Sequence, residues 1–210
     1  MPGLTDSLPL PQRLALAYAP ASAKPAVLAL FALDARLGHA LRQASEPIMA
    51  QMRLAWWRDQ FALLPDRRER SDELIRALDV FAGEEAALIG LVDGWETLIS
   101  EQLDADGFAM GRARGFAALA RRLGVPDEPS AEAGRRYALA DLAANLSEAD
   151  ERQAVLDLAG QGRRIALPKA LRSLAVLDGL ARRSLARGGS PLLDGPGAML
   201  SAIRLGLAGR

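Results

Sequence analysis

The sequence of 210 residues contains no cysteine and a single histidine, His39. Without cysteine the chain can form no disulfide, no thiolate nucleophile and no cysteine-ligated metal site. With one histidine, zinc sites of the usual kind and Ser-His-Asp triads are not expected. The two shortages argue against several common classes of hydrolase and zinc protein.

Long apolar runs are also missing. The longest, "AVLALFAL" at 26–33, is far shorter than the roughly 20 residues that span a bilayer. The N-terminus lacks a basic stretch followed by an apolar run, so no secretory signal is expected. We therefore expect a cytoplasmic protein, either free or peripheral to the inner membrane.

Neither sign of charge is in excess, since 26 basic side chains balance 26 acidic ones. Nucleic acid is therefore not expected as a partner. The distribution is uneven: residues 61–162 carry 11 basic and 20 acidic side chains, whereas 163–210 carry 9 and 2. The basic C-terminal segment is either a solvated face beside an acidic one or a contact for phosphates or an anionic membrane surface.

Almost every stretch has the apolar spacing of an amphipathic helix, and no sustained β alternation occurs. Ser22 as cap and Pro25 in the first turn predict a helix that runs to about residue 44. Ser71 and Gly83 frame another, as cap and terminator. The pattern predicts one all-α domain over 1–210, a bundle of about eight or nine helices. Residues 1–10 and 188–197 are expected to be loose connections, and a short helix is predicted near 197–207.

The stretch "QMRLAWWRDQF" at 51–61 places two tryptophans side by side in a helix. Trp56 belongs to one apolar stripe and Trp57 to a second, because adjacent helical residues point about 100° apart. Two stripes predict a helix near the centre of the bundle, with both tryptophans largely buried. Either both indoles pack in the core, or one of them lines an apolar pocket.

Asp34 interrupts a core stripe formed by Leu30, Leu37 and Leu41 on the preceding helix. A carboxylate in that position must be paired, hydrated or strongly shifted in its pKa. Two interpretations stay open. The carboxylate forms a structural pair with an arginine such as Arg53, or it faces an internal cavity.

Four segments of the chain resemble the squalene/phytoene synthase family. They are "AKPAVLALFALDARLGHAL", "EPIMAQMRLAWWRDQF", "YALADLAANL" and "GQGRRIALPKAL". The resemblance implies an isoprenoid-synthase-like bundle of helices around a deep cavity. It also implies an activity, the joining of two isoprenyl diphosphates with Mg²⁺ held by two aspartate-rich motifs.

The residues that match those motifs are not the expected carboxylates. In the first motif the matching positions are Gly38 and Arg42, and Asp34 lies one turn too early. In the second, Asn145 matches, but Glu148, Ala149 and Gln153 replace the arginine and the two aspartates. The resemblance therefore implies that both metal sites are lost, unless Asp141, Asp150 or Asp157 substitutes in a shifted register. The candidate cavity-lining residues are Asp34, Gly38, Arg42, Arg53, Trp57, Asp141 and Asn145.

Three functional hypotheses follow. The first is a non-catalytic member of the family that needs no cofactor. It would hold an isoprenoid or lipid ligand, or a protein partner in a membrane complex. The stretch with Met52, Arg53, Trp56 and Trp57 resembles an "MR-x-x-FW"-like stretch of the complex I assembly factor of that fold, which also lacks the metal-binding aspartates. The second is an active Mg²⁺-dependent prenyltransferase with a shifted set of carboxylates. The third is a structural helical protein without a ligand. An internal pocket lined by Asp34, Gly38 and Arg42 would disfavour the second.

Overall fold

The computed structural model describes residues 3–160 and 164–208, and within them it contains ten α-helices and no β-strand. Short 3-10 turns occur at Pro65–Arg67, Leu78–Phe81, Thr97–Ile99 and Lys169–Leu171. The all-α prediction is confirmed. The helices are α1 Leu10–Leu16, α2 Lys24–Arg42, α3 Pro47–Ala62, α4 Glu73–Ala77, α5 Glu85–Glu96, α6 Ala105–Arg122, α7 Glu128–Asn145, α8 Ala149–Ala159, α9 Arg172–Leu185 and α10 Gly195–Ala208.

One hydrophobic core runs through the described residues, from Leu8 to Leu205. Helices α5, α6, α7, α9 and α10 pack successively against one another, and α2 packs against α3, α4, α5 and α6. None of the helices in 3–160 and 164–208 combines the length and the hydropathy needed to cross a membrane.

Helix α2 is the most enclosed element near the predicted site. Its buried face includes Ala26, Ala29 and Ala32, whose small side chains let neighbouring helices approach. Pro25 lies in the first turn as predicted, but Ala23 rather than Ser22 occupies the capping position and makes no side-chain bond. The proline is a sufficient start signal, because its nitrogen carries no hydrogen and therefore needs no acceptor in the first turn.

Helix α3 is peripheral, which corrects the prediction of a central helix. Trp57 is 3% exposed, whereas Trp56 is 38% exposed. The stripe that contains Trp57 packs against α2 and α5, while the stripe that contains Trp56 has no helix over it within the described structure. Apolar residues on two faces therefore mark one core face and one surface patch. The patch comprises Ile48, Met49, Met52, Trp56, Leu63 and Leu64.

Several predicted boundaries also change. Helix α1 was not predicted, and it begins at Leu10, at the end of a segment expected to be loose. Asp72, not Ser71, caps α4 through its side chain. Helix α10 confirms the predicted C-terminal helix. It starts at Gly195, so the last three residues of the segment 188–197, which is predicted to be loose, are helical. Residues 161–163 of the "GQGRRIALPKAL" segment, residues 1–2 and residues 209–210 lie outside the described residues.

Two glycines set the spacing between α5 and α6. A Cβ atom on Gly111 would lie 2.5 Å from the Cα atom of Gly94, so only glycine permits this approach. The next residues along the two helices are Trp95 and Arg112. The close contact therefore carries an indole and a guanidinium to the same place in the core.

Candidate functional site

Asp34 lies at the centre of a buried polar network and is 3% exposed. Its carboxylate accepts four hydrogen bonds. Arg112 Nε and Nη2 donate to Oδ1 and Oδ2 at 2.8 and 2.6 Å. Trp95 Nε1 donates to Oδ1 at 2.9 Å and Gln12 Nε2 to Oδ2 at 2.7 Å. Because a carboxylate offers about four acceptor positions, Asp34 is saturated by donors from α1, α5 and α6.

Arg112 carries the compensating positive charge and is 3% exposed. Its Nη1 donates to Asp141 Oδ2 at 2.7 Å. The guanidinium carbon lies 5.0, 5.1 and 4.8 Å from the ring centres of Trp95, Phe108 and Tyr137. Burial alone would lower the pKa of Arg112, but the Asp34 and Asp141 carboxylates outweigh it and raise that pKa. The side chain is a permanent cation held by two carboxylates and three aromatic rings.

Two neutral polar side chains complete the network. Burial raises the pKa of the Tyr137 phenol, and the Asp141 carboxylate adds to the increase, so the hydroxyl stays protonated at neutral pH. Gln12 is 1% exposed, and its Oε1 atom has no hydrogen-bond partner among the residues that the structure describes. The Gln12 side chain therefore donates to Asp34 through Nε2, while its carbonyl oxygen is a free acceptor within the described residues.

A pocket of about 230 Å³ borders this network. An adjoining pocket of about 280 Å³ extends towards Leu98 and Phe108 and shares several of the same walls. The first pocket brings together five of the seven predicted cavity residues, namely Asp34, Gly38, Arg42, Asp141 and Asn145. The structure thus joins residues from α2 and α7 that are about 100 positions apart in the sequence.

Two of these residues have structural reasons for their identity. A Cβ atom on Gly38 would lie 2.8 Å from Cη2 of Trp95, so the glycine leaves room for the indole that binds Asp34. Asn145 Nδ2 donates to the Asp141 carbonyl at 2.7 Å, inside the last turn of α7. Arg42 is exposed at the pocket and makes no ion pair within the described part of the chain.

Arg53 and Trp57 lie elsewhere, on α3 beside α2, with Arg53 exposed and Trp57 buried. The proposed Asp34–Arg53 pair is therefore wrong, because Arg112 occupies the carboxylate. Arg53 Nη1 instead donates to the Ala40 carbonyl at 3.3 Å. Trp57 packs its ring on Phe61 with centres 5.8 Å apart. Both residues line a groove of about 700 Å³ that does not include Asp34.

The three carboxylates that the shifted register would use, Asp141, Asp150 and Asp157, are not grouped around the Asp34 pocket. Asp141 borders it but binds Arg112. Asp150 is exposed on α8, and Asp157 on the same helix accepts a bond from Gln153 at 2.8 Å. Within residues 3–160 and 164–208 no three histidine, cysteine, aspartate or glutamate side chains are close enough to hold a metal ion.

The basic C-terminal segment is partly engaged in the fold. Arg182 Nε donates to Asp178 Oδ2 at 3.2 Å, and Arg136 binds the other oxygen of that buried carboxylate at 2.6 Å. Arg187 is exposed and Arg183 is half-buried. One of the three arginines at the end of α9 is therefore committed to an internal ion pair.

Sequence reasoning missed Gln12, Trp95 and Arg112, although a signal for Arg112 exists. Phe108 and Phe116 lie one helical turn before and after it on the buried face of α6. A charged residue in an apolar stripe is the same anomaly that identified Asp34. The two anomalies are partners.

Comparisons of the chain with protein-family models, with curated proteins and with solved structures give no match.

Proposed function

We propose that this chain is a non-catalytic protein of the squalene/phytoene synthase type that works by binding a partner. The observation that carries the proposal is the saturation of Asp34 by four donors, two of them from one buried arginine. A structural cation therefore engages this pocket-bordering carboxylate, which keeps no free acceptor position for Mg²⁺.

Energetically, the ion pair between Asp34 and Arg112 is favoured over a magnesium ion bound to Asp34. A magnesium ion demands oxygen ligands with free lone pairs. To supply one, Asp34 would have to release Arg112, which would leave a buried cation with Asp141 as its remaining carboxylate. Breaking a buried pair costs about 3–5 kcal/mol, and the metal would also have to displace the indole and amide donors.

The prenyltransferase alternative depends on the same two carboxylates. Asp34 and Asp141 both border the pocket, which is the feature in its favour. Both bind Arg112, however, and the pocket also presents Gly38 and Arg42 where metal ligands would be required. Magnesium is a cofactor only under this weaker alternative.

The shapes of the pockets and of the groove favour a protein partner on the surface over a lipid held inside the bundle. The pockets beside Asp34 are small and have charged walls, whereas an isoprenoid chain needs an apolar tunnel. The groove between α2 and α3 is larger and exposes apolar side chains. Such a patch, rimmed by polar residues, is typical of an interaction site. The proposed partner is a protein of a membrane complex, and the C-terminal arginines would give the chain a peripheral contact with the membrane.

Co-purification from the protein's own cells tests the binding role. Met52 is 63% exposed within the patch, and Met110 is 41% exposed on α6, so Met110→Glu is a matched control for Met52→Glu. We expect tagged wild type and Met110→Glu to retain the same protein partner and Met52→Glu to lose it. A set of captured proteins and lipids unchanged by Met52→Glu would contradict binding at this surface.

A further inference from the structure

The groove along α3 has an apolar wall that no part of the described chain covers. Met49, Met52 and Trp56 line it and are 42%, 63% and 38% exposed. These residues lie three and four positions apart, so they form one continuous stripe on α3. The groove is about 700 Å³ in volume, enough to accept several side chains of a partner.

The other wall of the groove is basic. Arg36 and His39 come from α2, and Arg53 comes from α3. Among the described residues that line the groove, Asp72 is the one acidic residue, and its Oδ2 atom forms an ion pair with Arg36 Nη1 at 3.6 Å. Arg53 makes no ion pair within the described residues and donates only a long bond to the Ala40 carbonyl. The apolar stripe therefore has uncompensated positive charge beside it.

We propose that the groove binds an amphipathic α-helix of a partner protein, with acidic residues flanking its apolar face. This inference rests on the proposed binding function and specifies the class of partner. Trp56 supplies a rigid aromatic anchor. The two methionines supply an adaptable surface, because their unbranched side chains fit different partner residues. Acidic flanks complete the match by pairing with Arg53, which makes no ion pair within the described residues.

Two other occupants fit the groove less well. A second copy of the chain, packed groove to groove about a two-fold axis, would bring two basic walls into one interface, and Asp72, the acidic lining residue of each groove, already pairs with Arg36. Like charges would then oppose each other across the interface. A membrane surface would be reached best by a convex apolar face, whereas Met49 and Trp56 line a concavity between two helices.

A displayed library of helical peptides tests the proposal with a defined probe. The library presents an 18-residue alanine-rich helix in which the positions of one face and its two flanks are randomised. It is selected on the whole protein and counter-selected on Met52→Glu. We expect enriched peptides to carry large apolar residues at i, i+3 or i+4 and i+7, with an excess of glutamate and aspartate at the flanks.

Charge exchange then tests the acidic flanks directly. A selected peptide should bind Arg53→Glu at least tenfold more weakly than wild type, and its lysine-flanked version should bind Arg53→Glu better than wild type. Arg122→Glu, on the exposed surface of α6, is the matched control and should change neither affinity. Intrinsic fluorescence provides the readout, because Trp56 is partly exposed while Trp57 and Trp95 are buried.

The contrary outcomes are distinct. Enrichment of basic or non-helical peptides, or no difference between wild type and Met52→Glu, would overturn the helix-binding inference. If the library yields no peptide and the protein instead binds vesicles of anionic phospholipid in a Met52-dependent way, the groove is a membrane contact and the helix-binding inference is wrong. Neither result would support the prenyltransferase alternative, because that alternative is tested separately by the release of diphosphate from prenyl substrates. Failure of this inference is therefore distinguishable from failure of the non-catalytic proposal.

Discussion

Replacing Asp34 by asparagine should destabilise the fold strongly while changing the shape of the core very little. Asparagine keeps one acceptor oxygen but presents an NH₂ group where Arg112, Trp95 or Gln12 now donates. Both members of the central ion pair are nearly inaccessible, with side chains 3% and 4% exposed, so solvent cannot replace the lost carboxylate.

The magnitude follows from the buried ion pair. Removal of one partner from a buried pair costs about 3–5 kcal/mol. Asp141 still binds Arg112 at 2.7 Å, so we expect a loss near the lower end, about 3 kcal/mol. Because domains of this size are stable by about 5–15 kcal/mol, the variant should fold but unfold at a clearly lower denaturant concentration.

Urea unfolding followed by far-ultraviolet circular dichroism measures this loss, and Asp79→Asn is the matched control. Asp79 also receives two bonds from one arginine, Arg70, at 2.9 and 2.7 Å, but that pair is exposed. The control should lose little measurable stability, because solvent screens surface pairs. A loss below about 1 kcal/mol at Asp34, or one equal to that at Asp79, would refute the buried network.

A double variant separates the charge from the packing. Asp34→Leu with Arg112→Met removes both charges and keeps apolar volume in the same place. Because a buried pair and apolar residues of similar volume are often close in stability, the double variant should be more stable than Asp34→Asn. A double variant less stable than Asp34→Asn would contradict this expectation and show that the whole network, with the Trp95 and Gln12 bonds to Asp34 and the Arg112 bond to Asp141, stabilises the fold more than apolar packing does.

Three further predictions concern the surrounding core. Trp57→Ala should cost about 3–5 kcal/mol in urea unfolding and Trp56→Ala clearly less, and equal losses would show that α3 is not peripheral. Gly111→Ala should cost about 1–3 kcal/mol because its Cβ would meet the facing backbone of α5 at 2.5 Å, and an unchanged unfolding midpoint would contradict that close approach. In a Tyr18→Phe variant, Tyr137 is the single remaining tyrosine, and its absorbance at 295 nm should not rise until alkali unfolds the chain. Its pKa is raised in the folded state, so its contribution to stability is complete below about pH 10 and declines as pH rises further, whereas tyrosinate absorbance in the folded protein near that pH would contradict the buried phenol.

The sequence was sufficient for the helical class because apolar spacing is a local property, and it identified Asp34 as anomalous for the same reason. It could not identify the partner of Asp34. Arg112 and Asp34 are 78 positions apart, and their pairing depends on how α2 packs against α6 in the folded chain. Spacing along one helix carries no information about which neighbour will face it.

The position of α3 shows a second limit. Two apolar stripes predict two buried faces only if every apolar stripe finds a neighbour within the same chain. Trp57 finds α2 and α5, whereas Trp56 and Met52 face the groove. Hydrophobicity measures the tendency to be covered, and it does not say whether the cover comes from the same molecule.

The most direct test of the central claim is release of diphosphate by the purified protein from farnesyl or geranylgeranyl diphosphate with Mg²⁺. Ionisation of such a substrate leaves a highly charged anion, which a pocket without a cluster of metal ligands cannot stabilise. Arg42 could hold a phosphate group but would not replace several metal ions. We predict no release above a boiled control. Metal-dependent release that disappears in Asp141→Asn would contradict the non-catalytic account and support the enzyme with shifted carboxylates.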